Sequence, residues 1–203
     1  MAPCPRCLAE MVPRQSFPAC SLCGIDLAGS DDPCPACRTL GSSPLDGIAV
    51  LGPWSGPLRE WLSMLKYGGD RRLAELLACR LHEIIADRWP EATLVPVPPR
   101  RYRLLMEGRD AVGMICGEIG KRGVDVEKPL KRIGSQMQKS LDRESRLSAS
   151  ALKYAMKRRI RLKAKEYILF DDVSTTGSTL RVCAGLLKAN GAEAVHGLVV
   201  CKD

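Results

Sequence analysis

The feature that most constrains the fold of this chain is one stretch, YILFDDVSTTGSTL at residues 167–180. Its four leading apolar residues are typical of a central parallel strand, which is buried on both faces. The small hydroxyl residues from Thr175 to Thr179 surround Gly177 and predict a tight turn followed by a helix. In open α/β sheets ligands bind where strands end, and the first turn of a helix attracts anions. The stretch therefore predicts a strand, a turn and a helix, with an anion site at the turn.

Apolar patterns on either side of this stretch alternate between strand and helix signals. Strands are predicted at 45–52, 93–98, 167–170 and 194–200. Helices are predicted at 57–67, 71–88, 110–122, 142–160 and 180–190, the last with Leu180, Cys183, Ala184 and Leu187 on one face and Gly191 as its cap. This alternation predicts an α/β fold in which a mostly parallel sheet carries helices on both faces.

The N-terminal residues 1–45 are rich in Pro, Gly, Ser and Asp and hold six of the ten cysteines. A segment of this composition cannot bury enough apolar surface to fold without a staple. The six cysteines form three C-x-x-C pairs, and two such pairs complete a tetrahedral zinc site. Disulfides conflict with the lack of a secretion signal, and a redox motif needs one pair beside a βαβ unit. The pattern favours zinc knuckles.

One zinc ion needs four thiolates, so one of the three pairs is left over. The two pairs that lie closest together predict a structural zinc site at Cys20, Cys23, Cys34 and Cys37. The remaining pair offers Cys4 and Cys7 as alternative zinc ligands. Residues 1–45 are thus predicted to be a zinc-binding module, and residues 46–203 a second domain. The four other cysteines, which sit among apolar residues, are predicted to be buried thiols: Cys79, Cys116, Cys183 and Cys201.

Positive charge is concentrated in one segment of the chain. The formal net charge is +8, and residues 121–165 hold fifteen Lys or Arg against four Asp or Glu. Such a block is either a solvated face or a surface for a polyanion, whether phosphate, pyrophosphate or nucleic acid. No apolar run approaches the roughly 18 residues of a membrane span, and no signal peptide is evident. A cytoplasmic location without membrane insertion is therefore expected.

Asp171 and Asp172 stand beside the predicted anion site, although carboxylates repel phosphate. Carboxylate oxygens accept hydrogen bonds from sugar hydroxyls and suit a nearby Mg²⁺. A ligand with a phosphate at one side and a ribose diol at the other satisfies both demands. The residues therefore predict a ribose 5-phosphate ligand.

The residues ILFDDVSTTGST resemble the phosphoribosyl-pyrophosphate (PRPP) motif of type I phosphoribosyltransferases. The chain as a whole resembles the ComF competence family, in which C-x-x-C zinc knuckles precede a domain of this kind. Supporting stretches are LKYGGDRRLAELLA at 65–78, LVPVPPRRYR at 94–103 and QKSLDRESR at 138–146. This resemblance implies a type I phosphoribosyltransferase-like sheet and a role in DNA uptake.

The resemblance also implies roles for individual residues. Asp171 and Asp172 would hold the ribose hydroxyls of PRPP, and the turn after 94–98 would hold its pyrophosphate, with Mg²⁺ accompanying the ligand. Residues 132–155 would form a mobile loop, and Lys66 would assist with phosphate. The implied phosphate ligands are Ser174, Thr175, Thr176, Gly177, Ser178 and Thr179, and the implied pyrophosphate ligands are Arg100 and Arg101. The family's R-G-F-N-Q is replaced here by residues 107–111, which keep only the glycine.

Three functions remain open at this point. The first is a phosphoribosyltransferase, whose general base the sequence does not reveal, since His82 and His196 fit structural or surface positions better. The second is an accessory of DNA uptake that binds a nucleotide or PRPP and handles single-stranded DNA with DNA-uptake proteins. Only one aromatic residue, Tyr154, lies in the basic segment, whereas stacking platforms need several. The third is a folded relic with an empty pocket.

Overall fold

The computed structural model describes residues 19–27, 29, 31–40, 43–99, 109–133 and 153–203. A short helix in the cysteine-rich module is followed by an alternation of strands and helices. The strands are β1 (Gly47–Pro53), β2 (Thr93–Pro96), β3 (Leu130–Arg132), β4 (Tyr154–Met156), β5 (Glu166–Ser174) and β6 (Ala194–Lys202). The helices are α1 (Pro35–Leu40), α2 (Gly56–Ser63), α3 (Arg71–Arg88), α4 (Ala111–Gly120) and α5 (Ser178–Ala189), with a π-helical turn (Met64–Gly68) directly after α2.

Four strands form one sheet in the order β1-β6-β5-β2, and all its pairs are parallel. β3 and β4 form a separate antiparallel pair. The last strand of the chain therefore lies inside the sheet, which explains its apolar run Leu198–Cys201, buried throughout. The predicted α/β fold with a parallel sheet is confirmed.

Side chains of β5 alternate between two buried layers, as expected for a strand covered on both faces. Ile168 and Phe170 pack in the layer formed with α2, α3 and α4. Tyr167 and Leu169 pack in the layer formed with α5, whose predicted apolar face is buried. β5 is thereby fixed between the two cores and α5 is packed against one of them, and this rigidity positions the turn that joins them.

Local sequence signals explain where the helices begin. Pro57 lies in the first turn of α2, where its missing N–H has no intrahelical role. The side chain of Asp70 accepts the N–H of Arg72 at 2.9 Å and caps α3. Asp110 caps α4 by accepting the N–H of Gly113 at 2.8 Å. These caps fall at the helix starts that the sequence predicts to within a residue or two.

Two predictions are wrong. The predicted helix at 142–160 is not a helix over residues 154–156, which form β4 and pair with β3. The basic residues of this segment carry no apolar helical repeat, and antiparallel pairing determines its structure instead. Cys79 is exposed on α3 rather than buried, whereas Cys116, Cys183 and Cys201 are buried as predicted.

Both outer strands of the sheet contact other segments. The N–H of Ile48 on β1 donates to the carbonyl of Ser21 in the cysteine-rich module at 2.9 Å. On β2, the N–H of Leu94 donates to the carbonyl of Asp125 at 2.8 Å. A division into two domains at residue 45 stays a prediction. Among the described helices, none is both long and apolar enough to cross a membrane.

Candidate ligand-binding site at the carboxyl end of the sheet

A cavity of about 490 Å³ opens at the carboxyl ends of β2 and β5. Apolar and aromatic walls meet charged groups of both signs there. Its lining consists of Trp54, Lys66, Val97, Pro98, Pro99, Arg109, Asp110, Ala111, Val112, Arg132, Lys153, Tyr154, Asp171, Asp172, Val173, Thr175, Ser178 and Thr179. The position agrees with the rule that ligands of parallel sheets bind beyond the carboxyl ends of the strands.

The turn between β5 and α5 is held in place by two cationic side chains. Gly177 has φ +70°, a left-handed conformation that favours glycine. The guanidinium of Arg181 donates to the carbonyl of Thr176 at 2.7 Å, and Lys202 donates to the carbonyl of Thr175. Because these two carbonyls accept hydrogen bonds from cationic side chains, the turn is pre-organised. The N–H of Ser178 makes a long hydrogen bond to Oγ1 of Thr176 at 3.3 Å, and the other N–H groups in the first turn of α5 are left for an anion.

Ser174 lies directly before this turn with its side chain buried. Its hydroxyl oxygen has no hydrogen-bond partner among the described residues, although buried polar groups are almost always paired. It lies 3.9 Å from the point that a Cβ on Gly177 would occupy. A buried, unpaired hydroxyl next to a helix N-terminus is a second indication that an oxygen-rich ligand belongs at this turn.

The two acidic residues have different surroundings because side chains alternate along β5. Asp172 is buried, and its Oδ2 lies 2.6 Å from Nζ of Lys66. Asp171 is partly exposed, and its Oδ1 accepts the N–H of Asp172 at 2.9 Å. Desolvation and the neighbouring Asp172 charge raise the pKa of Asp171 to about 8. Asp171 is therefore the carboxyl group best placed to exchange hydrogen bonds with a ligand.

Cations surround the rest of the cavity. The guanidinium of Arg132 on β3 donates to the phenol oxygen of Tyr154 at 2.6 Å and lies 5.0 Å from that ring's centre. Tyr154 is buried, and burial raises the pKa of its phenol. Arg109 and Lys153 complete the positive lining. Together with the helix N-terminus, these groups favour a ligand with more than one phosphate.

Mg²⁺ fits this lining poorly as an ion held by the protein. Mg²⁺ requires oxygen ligands at about 2.0–2.1 Å in octahedral geometry. Lys66 already occupies one oxygen of Asp172, and the N–H of Val173 donates to the other at 2.8 Å. Among the described residues, the acidic pair therefore offers few free oxygens to a metal ion.

The structure brings together several of the residues predicted to bind the ligand: Asp171, Asp172, Thr175, Ser178 and Thr179 line the cavity. Thr176 and Gly177 shape the turn but do not line the cavity as the structure describes it. Arg100, Arg101 and most of the predicted mobile loop lie outside the described residues. Sequence reasoning did not single out Trp54, Arg132 or Lys153. Arg132 and Lys153 carried a signal, because both lie in the basic segment at 121–165, whereas Trp54 carried none.

His196, one of the two histidines, lies on β6 away from the acidic pair, in register with Ile168. Its ring stacks on Trp89 at 4.7 Å between centres, and its Nε2 lies 2.7 Å from a carboxylate oxygen of Glu166. These contacts support the prediction of a structural role.

The predicted zinc ligands also come together. The sulfurs of Cys20, Cys23, Cys34 and Cys37 all lie within 4.8 Å of one another, and those of Cys23 and Cys34 are 3.7 Å apart. Four sulfurs at about 2.3 Å from a zinc ion lie about 3.8 Å apart, so the cluster fits a structural Zn²⁺. Cys4 and Cys7, the alternative ligands, lie outside the described residues.

The environment of the thiols suits a metal. Burial opposes ionisation of Cys20, but backbone N–H donors, led by that of Cys34, outweigh it and lower the pKa of Cys20. Burial raises the pKa of Cys23 and Cys37. A bound metal cation favours the ionised thiolate form of such cysteines and so offsets the cost of burying their negative charge.

Curated proteins with similar sequences cover most of this chain. Competence protein F of Haemophilus influenzae is 28% identical over 199 residues, which cover 90% of this chain and 83% of that protein. DNA utilization protein YhgH of Escherichia coli is 26% identical over 192 residues, with the same two coverages of 90% and 83%. The chain is a homologue of these proteins. The resemblance to the ComF competence family is thus confirmed over nine-tenths of the sequence.

Other comparisons add less. No protein-family model matches the chain. An alanine mutant from a study of an invariant aspartic acid in HPRTs has a TM-score of 0.41 at 10% identity, covering 68% of this chain and 69% of that one. Hypoxanthine phosphoribosyl transferase of Trypanosoma cruzi has a TM-score of 0.39 at 11% identity, covering 66% and 64%. Scores of this size support no inference about ligands or chemistry.

Proposed function

We propose that this chain binds the ribose 5-phosphate part of PRPP, or of a related nucleotide, and acts in DNA uptake or utilisation. The observation that carries the proposal is the single cavity in which a carboxyl group and the pre-organised N-terminus of α5 stand side by side. The names of its homologues, a competence protein and a DNA utilization protein, support the process. A cytoplasmic location stays a prediction.

In this proposal the 5-phosphate binds the N–H groups of the first turn of α5. The hydroxyls of Thr175, Ser178 and Thr179 add donors, and the unpaired hydroxyl of Ser174 lies beneath the turn. The ribose hydroxyls donate to Asp171, the more accessible of the two carboxyl groups. A ligand oriented in this way presents its C1 substituent to the cations of the cavity.

The same geometry defines what the chain could contribute to phosphoribosyl transfer. Pyrophosphate would leave C1 as the nucleophilic atom of an acceptor bonds to that carbon, and Arg132 and Lys153 would neutralise the charge that develops on the pyrophosphate. The lining contains no histidine, so catalysis would consist of positioning and charge stabilisation rather than proton abstraction by imidazole. Mg²⁺, carried by the diphosphate, would neutralise charge on the leaving group. The proposal also includes a structural Zn²⁺ ion bound by the four-cysteine cluster.

Calorimetric titration of PRPP with Mg²⁺ into the zinc-loaded protein tests the proposal. Saturable binding is expected, and Asp171→Asn should weaken it by up to about tenfold, the value of one hydrogen bond. Asp87→Asn is a matched control, because that carboxylate is exposed on α3 outside the cavity. Absence of binding in a folded, zinc-loaded protein, or equal losses in the two variants, would contradict the assignment.

A nucleic-acid surface is a second candidate function, favoured by one observation. Arg158, Arg159, Arg161 and Lys163, here called the basic strip, are all exposed. Leu162 and Ala164 pack inward against the α5 layer, so Arg161 and Lys163, which alternate with them, face solvent. Tyr154 is buried and offers no stacking platform, so the strip would bind through phosphates rather than bases.

The basic strip can be tested without disturbing the cavity. Replacing its four residues by Ser should weaken binding of a single-stranded oligonucleotide and reduce the salt slope of log K by up to about 3. PRPP binding should be unchanged. An unaltered salt slope would exclude the strip as the nucleic-acid surface.

A further inference from the structure

The ion pair between Lys66 and Asp172 is the one buried contact between opposite charges at the described cavity. We propose that Lys66 takes the place of a divalent cation at Asp172, so that the cavity binds ribose 5-phosphate without a metal ion held by the protein. This inference deepens the proposed function and rests on it. It assigns Lys66 a positioning role in place of the direct phosphate contact that the resemblance implied.

The contacts of Asp172 leave little room for a metal. Its Oδ2 lies 2.6 Å from the ammonium of Lys66, and its Oδ1 accepts the N–H of Val173 at 2.8 Å. A divalent cation bound to either oxygen would stand within a few ångströms of the ammonium charge. Like charges at that separation repel strongly in a site with little water. The ammonium and a metal ion therefore compete for the same carboxylate.

Burial keeps the ammonium of Lys66 paired with the carboxylate of Asp172. The side chains of Lys66 and Asp172 are only 11% and 10% exposed. Separating the pair would leave an uncompensated charge in the interior, which is much more costly than keeping it closed. A hydrated magnesium ion gives up its water reluctantly, so it is a weak competitor for a carboxylate already paired in this way.

An irregular backbone segment places Lys66 beside Asp172. Lys66 is the central residue of the π-helical turn Met64–Gly68, and such turns are frequent at functional sites. The turn ends at Gly69, whose φ of +64° is left-handed and whose missing Cβ makes room for the side chain of Arg109. The ring of Trp54 lies 5.8 Å from the ammonium and gives it a second electrostatic contact.

The arrangement has a consequence for the ligand. With Asp172 paired, Asp171 is left to accept the ribose hydroxyls, and neither interaction includes a metal. Mg²⁺ then enters only with the pyrophosphate group of PRPP. Ribose 5-phosphate, which lacks that group, should bind zinc-loaded protein equally well with and without added Mg²⁺, within about twofold.

The experiment uses Mn²⁺ alone as a probe, followed by paramagnetic relaxation of the zinc-loaded full chain. If the wild-type protein binds Mn²⁺ at all, Asp172→Asn should leave that binding unchanged. Lys66→Met should create such a site, with at least about a tenfold gain in Mn²⁺ affinity. The double variant Lys66→Met with Asp172→Asn should lose it again. Lys165→Met, which removes an exposed ammonium, is the matched control and should change nothing.

Either of two results would overturn the inference. One is a wild-type Mn²⁺ site that Asp172→Asn removes, a measurement that stands even if Lys66→Met fails to fold. The other is a folded Lys66→Met that gains no Mn²⁺ affinity. Titration of ribose 5-phosphate separates this inference from the proposed function. If the sugar phosphate fails to bind the wild type under any condition, the proposed function fails, whereas binding that requires Mg²⁺ contradicts the role of Lys66 alone.

Discussion

Asp171→Asn should change how the stability of the protein depends on pH. The pKa of Asp171 rises to about 8 in the folded protein, from 3.8 as its ordinary value, chiefly because the group is desolvated. Between these two values the folded state holds a proton that the unfolded state has released. The free energy of unfolding should therefore fall as pH rises through this range, and the loss is complete above the folded pKa. Asn cannot titrate, so the variant escapes this loss.

The size of the effect follows from the shift. One pKa unit corresponds to about 1.36 kcal/mol, so the full shift is worth at most about 6 kcal/mol. Asp171 keeps some contact with the cavity, and water there reduces the cost of its charge. We therefore expect the variant to gain about 2–3 kcal/mol over the wild type between pH 5 and pH 9. The Asn oxygen can still accept the N–H of Asp172, so the local hydrogen bond is kept.

Urea unfolding of zinc-loaded protein at several pH values between 5 and 9 measures this difference. Subtracting the two profiles removes contributions from groups that both proteins share, including the histidines and the cysteine cluster. Asp87→Asn, an exposed carboxylate on α3, should give a profile parallel to that of the wild type. Parallel profiles for wild type and Asp171→Asn would refute the reasoning, because the carboxyl group would then ionise in the folded state as it does in the unfolded chain.

Three further predictions concern the metal, a helix and the surface. Metal analysis should find one zinc ion per chain. Cys34→Ser should abolish zinc binding, whereas Cys79→Ser, which changes the exposed thiol of α3, should not. Zinc retained in both variants would exclude the four-cysteine cluster as the zinc site. A Cβ at Gly113 would lie 2.4 Å from the carboxylate that caps α4, whereas one at Gly117 meets nothing within 4 Å. Gly117→Ala should therefore stabilise the protein by about 0.5–1 kcal/mol. Gly113→Ala should be about 1 kcal/mol less stable than Gly117→Ala in thermal or urea unfolding. Equal effects of the two substitutions would contradict the capping role of the Asp110 side chain. Lys165→Ala removes an exposed ion pair and should change the melting temperature negligibly, so a clear loss would show that the pair is more than a surface contact.

Much of the fold follows from local signals in the sequence. The strand at 167–170 could be predicted because a central parallel strand is apolar throughout, and α3 because its apolar residues repeat at the helical period after a capping Asp70. The zinc cluster could be predicted because paired cysteines at close spacing have few other uses outside oxidising compartments. These signals need no knowledge of distant contacts.

The parts that could not be predicted depend on long-range contacts. β4 has no strand signal of its own and exists because it pairs with β3. The partnership of Lys66 with Asp172 depends on a π-helical turn, which no residue pattern announces, and on the face of β5 to which Asp172 points. The sequence identified the acidic pair, but only the structure shows that its two members have different environments.

The contacts at the two outer strands have a consequence for how this protein associates with itself. Ser21 covers part of β1, and residues 125–127 run alongside β2, so strand addition is hindered at both borders of the sheet. The two borders are not equally secure, because the cover over β1 belongs to the small module that holds the four-cysteine cluster, a site that fits Zn²⁺. Loss of zinc would free one border only. Chelation should therefore give dimers in which β1 pairs with β1 of another copy, and these dimers should not extend further because each copy frees only one border.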